Sequence, residues 1–305
     1  MKKVGVIGLG NMGKHMAVHL VDKGFSVTVF DINENPVRDL MDMGAAGATS
    51  PREVALHSEV IVLSLPNAVV LSEVVQGPDG ILTAGVEGKT LIDTTSATYD
   101  ITRELAARVA EKGGWMLDSP VTGGSEGSRK ATLSIMVGGD FDAFCRQKDV
   151  YETIGSNIVH IGESGHGQIS KMVNQMLMAA IYCSAAEAFA FASQAGVDIA
   201  KIYKAIEFGG AESKLLSGMK ETILSGKVVI NDNLAIHAKD IDYAMEAANK
   251  LHAYLPVTAS THEVFNIARI KGLGNIWSGS LFTVWEDLLQ RKLNSTIRPE
   301  AEPAT

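Results

Sequence analysis

Three polar side chains interrupt a segment that is otherwise mostly apolar and has helical periodicity. Lys171 lies near the start of this segment, which covers 166–194, and Asn174 and Gln175 follow it at i+3 and i+4. Residues at this spacing share one face of an α-helix. A partly buried lysine can exchange a proton with a hydroxyl group, and amides can orient the molecule that carries it. The alternative is that Lys171 only extends its charge into water from the end of the helix.

A glycine-rich motif near the N-terminus predicts the binding of a dinucleotide. The motif follows the apolar run Val4–Ile7, precedes a helical pattern, and reads Gly8, Leu9, Gly10, Asn11, Met12 and Gly13. Between a strand and a helix, such glycines permit a tight turn, the approach of a pyrophosphate and close packing of the helix. The candidate cofactor-binding residues here are Gly8, Gly10, Asn11, Met12 and Gly13.

Asp31 bears on the choice of cofactor. It ends the second apolar run, and Ile32 and Asn33 follow it, not an arginine. A carboxylate at this position binds the ribose 2′-hydroxyl of NAD and repels the 2′-phosphate of NADP. The sequence therefore predicts NAD in preference to NADP.

Two later loops leave the C-terminal ends of predicted strands, where open α/β sheets bind their ligands. One loop covers 64–67 and includes Leu65 and Pro66, and the other covers 93–96 and includes Thr95. Their hydroxyl groups and backbone amides could contact the ribose and the nicotinamide. Ordinary turn chemistry at a strand end is the alternative for either loop alone.

The positions of apolar residues predict two domains. Short apolar runs alternate with helical patterns up to Gly162, which is typical of a parallel sheet with helices on both faces. After Gly162 only helical patterns follow, beginning with a helix over 166–194. The predicted fold class is α/β, with an N-terminal Rossmann domain (1–162) followed by an all-α C-terminal domain (163–293) and a flexible tail (294–305).

Composition excludes several functions. The 305-residue chain carries a net charge of −8, and it has no basic run that would attract nucleic acid or an anionic membrane. Its two cysteines cannot form a disulfide framework and are typical of a reducing cytosol. The apolar stretch 176–192 is interrupted by Glu187, so we expect a buried helix and no membrane span. Its length suggests extra surface to bury in a homodimer or homotetramer.

Four motifs in order resemble those of the β-hydroxyacid dehydrogenases, the family of 3-hydroxyisobutyrate dehydrogenase and tartronate semialdehyde reductase. The resemblance extends over about residues 2 to 290. The motifs are the glycine-rich segment 8–13; Asp118, Ser119, Pro120, Val121, Thr122, Gly123 and Gly124; Gly165, His166, Gly167 and Gln168 with 171–175; and Lys239 with Asp240.

The resemblance implies a role for each motif. Lys171 matches the family's catalytic lysine, and either Asn174 or Gln175 matches the amide that positions the substrate. Lys239 matches a lysine at the cofactor site, and Leu65, Pro66 and Thr95 match cofactor contacts. The loop that holds the substrate carboxylate matches Thr122, Gly123 and Gly124. The chain departs from the family at Thr122, where serine is usual, at Gln175, where most members have asparagine, and at Asp232, where many have phenylalanine.

Together these features predict hydride transfer between NAD and a small 3-hydroxy carboxylic acid or its semialdehyde. The substrate would carry a carboxylate, Lys171 would act as general acid/base, and no metal is expected. Imine reductases resemble this architecture but usually lack the helix lysine, so Lys171 argues against that activity. A non-catalytic nucleotide-binding scaffold is the other alternative, although both the lysine and the substrate loop are retained.

Overall fold

The computed structural model describes residues 1–231 and 233–297. Two compact units divide the chain, the N-terminal unit Met1–Met172 and the C-terminal unit Val173–Thr305. The division falls inside a long helix, further along the chain than the domain boundary expected after residue 162. Asp232 and most of the predicted tail lie outside the described residues.

A nine-stranded sheet forms the centre of the N-terminal unit, in the order β3-β2-β1-β4-β5-β6-β8-β7, with β9 paired to β8. The strands are β1 (Lys3–Ile7), β2 (Ser26–Phe30), β3 (Ala46–Gly47), β4 (Val60–Leu63), β5 (Thr90–Asp93), β6 (Trp115–Asp118), β7 (Val121–Thr122), β8 (Leu133–Gly138) and β9 (Gly155–Gly162).

The sheet is mixed, whereas the sequence pattern predicted a parallel one. The strands from β1 to β6 pair in parallel, but β8 runs antiparallel to both β6 and β7. A parallel neighbour needs a crossover connection that spans the length of the sheet, usually a helix. Between β6 and β8 the chain forms only β7 and a six-residue helix, so it turns back at the end of the sheet instead.

Eight helices flank the sheet in the N-terminal unit. They are α1 (Gly13–Asp22), α2 (Glu34–Asp42), α3 (Pro51–His57), α4 (Ala68–Gln76), α5 (Tyr99–Glu111), α6 (Gly124–Arg129), α7 (Phe141–Arg146) and α8 (Lys148–Ile154). Helices α7 and α8 are separate and meet at Gln147. The core of the unit is built by apolar strand residues such as Val6, Val29 and Val62, which are fully buried.

The C-terminal unit is helical. Its helices are α9 (His166–Gln194), which begins in the N-terminal unit, α10 (Ile199–Ile206), α11 (Lys214–Ser225), α12 (Asn233–Leu251), α13 (Pro256–Ile270) and α14 (Phe282–Leu289). Within its described residues the only β-pairing is an isolated bridge between Ile230 and Ile276. A 3-10 turn, Leu293–Thr296, continues the ordered chain past the predicted end of the domain at residue 293.

Helix α9 is long and apolar enough to cross a membrane, judged by length and composition alone. However, half of its most apolar window is buried inside the protein. Ala179, Ala186 and Phe189 belong to the core of the C-terminal unit. Such burial is typical of a core helix, which is the role expected from the sequence.

Candidate active site

The glycine-rich turn after β1 is shaped by close backbone contacts. Gly8 has a positive φ of 90° and donates its N–H to the carbonyl of Phe30 at 3.0 Å. A Cβ atom on Gly13 would lie 1.9 Å from the carbonyl oxygen of Gly8. Only glycine allows α1 to begin this close to the turn, so Gly13 is required by the packing of the protein itself.

Gly10 differs from its neighbours, because a Cβ atom there would meet nothing within 4 Å. Helix α1 begins beside it without a side-chain cap, whereas α2, α3, α4 and α5 each have one. Uncapped N–H groups at a helix start attract an anion, and open space at Gly10 lets a phosphate reach the backbone. This turn therefore fits the pyrophosphate of a dinucleotide.

Asp31 lies at the end of β2 and contacts the same turn. Its carboxylate accepts hydrogen bonds from the N–H of Leu9 at 2.6 Å and of Asn33 at 2.7 Å. Both bonds come from backbone, so the side chain is held in one orientation next to the glycine-rich loop. Its remaining lone pairs can accept bonds from a ribose.

The two predicted strand-end loops are joined to each other and to α9. Thr95 Oγ1 accepts a hydrogen bond from the N–H of Leu65 at 3.1 Å, and Pro66 next to it is exposed. Gln168, on the first turn of α9, donates to the carbonyl of Thr95 at 2.8 Å and accepts from the N–H of Ala97 at 3.1 Å. The loop that contains Thr95 is therefore held by hydrogen bonds to Leu65 on one side and to Gln168 on the other.

Asp118 fixes the start of α9. It ends β6 and is fully buried, and its carboxylate accepts the N–H of Gly165 at 2.8 Å and of Gln168 at 3.0 Å. Burial raises the pKa of Asp118, and these backbone hydrogen bonds oppose the rise. The N–H groups of the first helical turn have no partner within the helix, so the carboxylate satisfies donors that would otherwise be buried unpaired.

Lys171 lies one turn further along α9. Its Nζ donates to the carbonyl of Val121 at 3.0 Å. Val121 directly precedes the predicted substrate loop, in which Thr122 ends β7, and Gly123 and Gly124 have positive φ values of 128° and 64°. Within the N-terminal unit, the predicted catalytic lysine is thus placed at the start of the loop predicted to hold a carboxylate.

Serine side chains attach this loop to the glycine-rich turn. Ser128 Oγ, on α6, donates to the carbonyl of Met12 at 2.8 Å, and Ser125 Oγ donates to the carbonyl of Asn11 at 3.2 Å. The short helix that follows Gly123 and Gly124 is therefore bonded to the turn at the start of α1. A ligand on the loop and a dinucleotide on the turn would be neighbours.

The remaining predicted residues belong to the C-terminal unit. Gln175 is buried and donates from Nε2 to Asp240 Oδ2 at 2.7 Å, while Asn174 is half-buried and donates from Nδ2 to Gln175 Oε1 at 3.0 Å. Lys239 Nζ lies 3.0 Å from Asp240 Oδ1 and 4.8 Å from the ring centre of Tyr243. Helical spacing on α9 gives Asn174 and Gln175 the same face as Lys171.

Comparison with known proteins defines the family. A family model described as the NAD binding domain of 6-phosphogluconate dehydrogenase matches residues 3–162. A second model, described as NAD-binding of NADP-dependent 3-hydroxyisobutyrate dehydrogenase, matches residues 165–276. The chain is 36% identical over 292 residues to 2-hydroxy-3-oxopropionate reductase of Escherichia coli (strain K12), covering 95% of this chain and 99% of that one. The chain belongs to the β-hydroxyacid dehydrogenase family.

Solved structures agree with this family assignment. A structure of 3-hydroxyisobutyrate dehydrogenase from Mycobacterium tuberculosis with L-serine has a TM-score of 0.85 and 26% identity, over 93% of this chain and 98% of that one. An imine reductase from Pseudomonas sp. has a TM-score of 0.59 and 20% identity, over 93% and 99% of the two chains. The second likeness shows a shared fold only.

Several residues that shape this β-hydroxyacid dehydrogenase site received no role from the sequence. Asp118 and Gln168 belong to the family motifs without a predicted role, and the sequence predicts none for Ser128. Their partners lie far away in sequence: Asp118 bonds Gly165 across 47 residues and Ser128 bonds Met12 across 116. The sequence feature that could have indicated a role for Asp118 is its carboxylate, because it stands at the end of an otherwise apolar strand pattern. Among the described residues, no group of three or more His, Cys, Asp or Glu could hold a metal ion.

Two alanine substitutions should separate cofactor binding from folding. Gly10→Ala should fold normally because its Cβ meets nothing, but its dissociation constant for NADH should rise about tenfold or more, since the methyl group occupies the path of the pyrophosphate. Gly13→Ala should lower the free energy of unfolding by roughly 1–3 kcal/mol or more, because its Cβ overlaps the backbone of Gly8. Fluorescence titration with NADH and urea unfolding measure the two effects. Unchanged NADH binding in Gly10→Ala would contradict the proposed position of the pyrophosphate.

The buried carboxyl group of Asp93 should make stability depend on pH. Burial raises the pKa of Asp93 to about 7, against hydrogen bonds from Thr95 and with a further rise from the charge of Asp118. The folded protein therefore holds a proton that the unfolded chain releases near its ordinary pKa of 3.8. By linkage, the contribution of Asp93 to the free energy of unfolding falls as pH rises from about 4 to about 7, by about 4 kcal/mol at most, and then levels off.

Asp93→Asn should remove this decline, because its amide cannot ionise. Urea unfolding at pH 5 and pH 8 should show the variant gaining stability relative to wild type at the higher pH. Asp142→Asn makes the same substitution at an exposed position and serves as the control. Parallel pH profiles for wild type and Asp93→Asn would disprove the assignment.

Proposed function

We propose that this protein transfers a hydride between NAD and a small 3-hydroxy carboxylic acid or the corresponding semialdehyde. The observation that carries the proposal is the position of Lys171 Nζ, 3.0 Å from the carbonyl of Val121 at the start of the loop Thr122–Gly124. This contact supports a site in which the ammonium group of Lys171 exchanges a proton beside hydrogen-bond donors that carry no negative charge. A hydroxy acid needs both, one for its hydroxyl group and one for its carboxylate.

In the proposed reaction, each motif has one role. When bound, the nicotinamide ring exchanges the hydride. Lys171 takes the hydroxyl proton during oxidation and returns it during reduction. Thr122 and the amides of Gly123 and Gly124 hold the carboxylate, and the polar face of α9 orients the substrate. Orientation of this kind accounts for much of the rate gain in such reactions.

The relatives' names support the proposed substrate class. The Escherichia coli relative is named as a reductase of 2-hydroxy-3-oxopropionate, a carboxylate with an oxo group at carbon 3. The Mycobacterium tuberculosis structure is named for 3-hydroxyisobutyrate. We infer a substrate of similar size with a carboxylate. Imine reduction is not favoured, because Lys171 and the carboxylate loop are both present.

We also propose that two or four copies assemble in the cytosol. Apolar side chains on one face of α9 remain exposed in the single chain, with Leu177 62% and Phe191 76% accessible. A face of this kind on a long helix is well suited to packing against a second copy.

NAD should be preferred over NADP because of Asp31. Its carboxylate is fixed beside the glycine-rich turn and would repel a 2′-phosphate. Wild type is assayed with both cofactors on a panel of small hydroxy acids and semialdehydes, by NADH or NADPH absorbance. Asp31→Ser with Ile32→Arg should partly reverse the preference, and Ile32→Arg alone, at a 95% exposed position, is the control. A wild type that prefers NADP would refute the role of Asp31, and no turnover of any panel member would refute the proposed function.

Replacement of Lys171 should abolish turnover without affecting cofactor binding. Lys171→Met keeps the apolar stem but removes the ammonium, so kcat should fall roughly 10²–10⁴-fold. Lys171→Arg should fail as well, because a guanidinium does not release its proton at working pH. NADH binding, which depends on the turn at Gly10 and not on the Lys171 ammonium, is the folding control.

The pattern across the two variants distinguishes the alternatives. If Lys171 holds the substrate by charge alone, Lys171→Arg should recover part of both KM and kcat. Near-wild-type turnover of Lys171→Met would mean that the lysine only reaches solvent, and the mechanism would be wrong.

A further inference from the structure

A cluster of buried polar groups lies between α9 and α12 in the C-terminal unit. Gln175, His237 and Asp240 are each at most 6% exposed, and Ser278 beside them is fully buried. His237 Nε2 lies 3.0 Å from the backbone carbonyl of Gln175, and its Nδ1 lies 3.3 Å from Ser278 Oγ. The backbone of Gln175 is therefore bonded to α12 independently of its side chain.

The carboxylate of Asp240 decides which way the Gln175 amide points. Lys239 Nζ lies 3.0 Å from Asp240 Oδ1 as an ion pair, and Oδ2 accepts from Gln175 Nε2 at 2.7 Å. A carboxylate accepts hydrogen bonds but does not donate them, so the nitrogen of the glutamine amide must face it. The amide oxygen of Gln175 then necessarily faces the other way.

The same reasoning extends to Asn174. Gln175 Oε1 only accepts, and the group beside it is Asn174 Nδ2, at 3.0 Å. The nitrogen also lies 3.2 Å from Met178 Sδ, a weak acceptor. In the described part of the chain, no hydrogen bond reaches Asn174 Oδ1. The half-buried Asn174 is thus left with an oxygen to offer a ligand, and the buried Gln175 has both ends of its amide engaged.

We infer that Asp240 is a positioning residue, which acts through Gln175 to make Asn174 present its amide oxygen to the substrate hydroxyl group. An amide is nearly symmetric in shape, so packing alone does not distinguish its oxygen from its nitrogen. An ordered series of donors and acceptors that begins at a carboxylate does distinguish them. The inference rests on the proposed function, and it names Asn174 over Gln175 as the amide that binds the substrate.

Asp240→Asn tests directly whether Asp240 orients the amides of Gln175 and Asn174. Lys239 Nζ only donates, so the asparagine introduced at position 240 would turn its amide oxygen to Lys239 and its nitrogen to Gln175. Gln175 would then have to face it with its oxygen, which reverses the direction of both following amides. We expect KM for the hydroxy acid to rise about tenfold, the equivalent of one hydrogen bond, with NADH binding and the unfolding midpoint little changed. An unchanged KM would overturn the inference.

A reciprocal exchange provides the matched rescue. Gln175→Glu alone places two carboxylates in contact and should lower kcat/KM at least as much as Asp240→Asn. When Gln175→Glu is combined with Asp240→Asn, the new amide at position 240 donates to the new carboxylate at position 175. The other oxygen of that carboxylate still accepts from Asn174, so the double variant should return to within about threefold of the wild-type KM. Failure of the exchange to recover KM, with the fold intact, would also overturn the inference.

Asn174→Leu shows whether the effect passes through Asn174. If it does, adding Asp240→Asn to Asn174→Leu should raise KM no further, whereas a merely structural effect of Asp240 would be additive.

A readout without turnover separates this inference from the proposed function. In ¹⁵N NMR spectra, the side-chain amide protons of Asn174 should be protected from exchange in wild type and lose protection in Asp240→Asn. If no hydroxy acid reacts, the proposed function fails. The exchange of these amide protons would still show whether Asp240 sets the orientation of the amides.

Discussion

The buried carboxylate of Asp118 holds the start of α9 on the end of β6, and the candidate site of the N-terminal unit depends on this contact. Removing a carboxylate from water is costly, and the rise of its pKa reflects that cost. The first N–H groups of a helix carry partial positive charge and lack partners within the helix, so each partner satisfies the other. Lys171 reaches Val121 because the helix that carries it begins at this fixed point.

Gln168 extends the same anchor to the two strand-end loops that contain Thr95 and Leu65. It is bonded through its backbone to Asp118 and through its side chain to the loop around Thr95, which in turn receives the N–H of Leu65. The loops at the ends of β4, β5 and β6 and the first turn of α9 therefore share one hydrogen-bond network. In the C-terminal unit, Asp240 performs a comparable task, since a buried carboxylate again orients amide groups on α9. In both units a buried carboxyl group sets the direction of hydrogen bonds, which apolar packing cannot do.

Much of the fold could be predicted because it depends on local patterns. Alternating apolar runs and helical patterns predicted the sheet and its helices, and the 3.6-residue period over 166–194 predicted α9, which spans His166–Gln194. The glycine-rich motif predicted its turn because its steric demands are local. The antiparallel direction of β8 was not predictable in this way, because the periodicity of a strand does not encode its direction relative to a neighbour.

The amino-acid sequence by itself determined which elements form, which family the chain resembles and which residue types could exchange a proton or contact a dinucleotide. Spacing placed Lys171, Asn174 and Gln175 on one helical face, because a helix brings residues three and four apart together wherever it occurs. Only the tertiary structure decided which partner each polar group meets. Asp118 bonds the start of a helix 47 residues away, and Gln175 bonds Asp240 across 65 residues. The physical reason is that these bonds form between groups that folding buries together, and burial is a property of the packed chain as a whole.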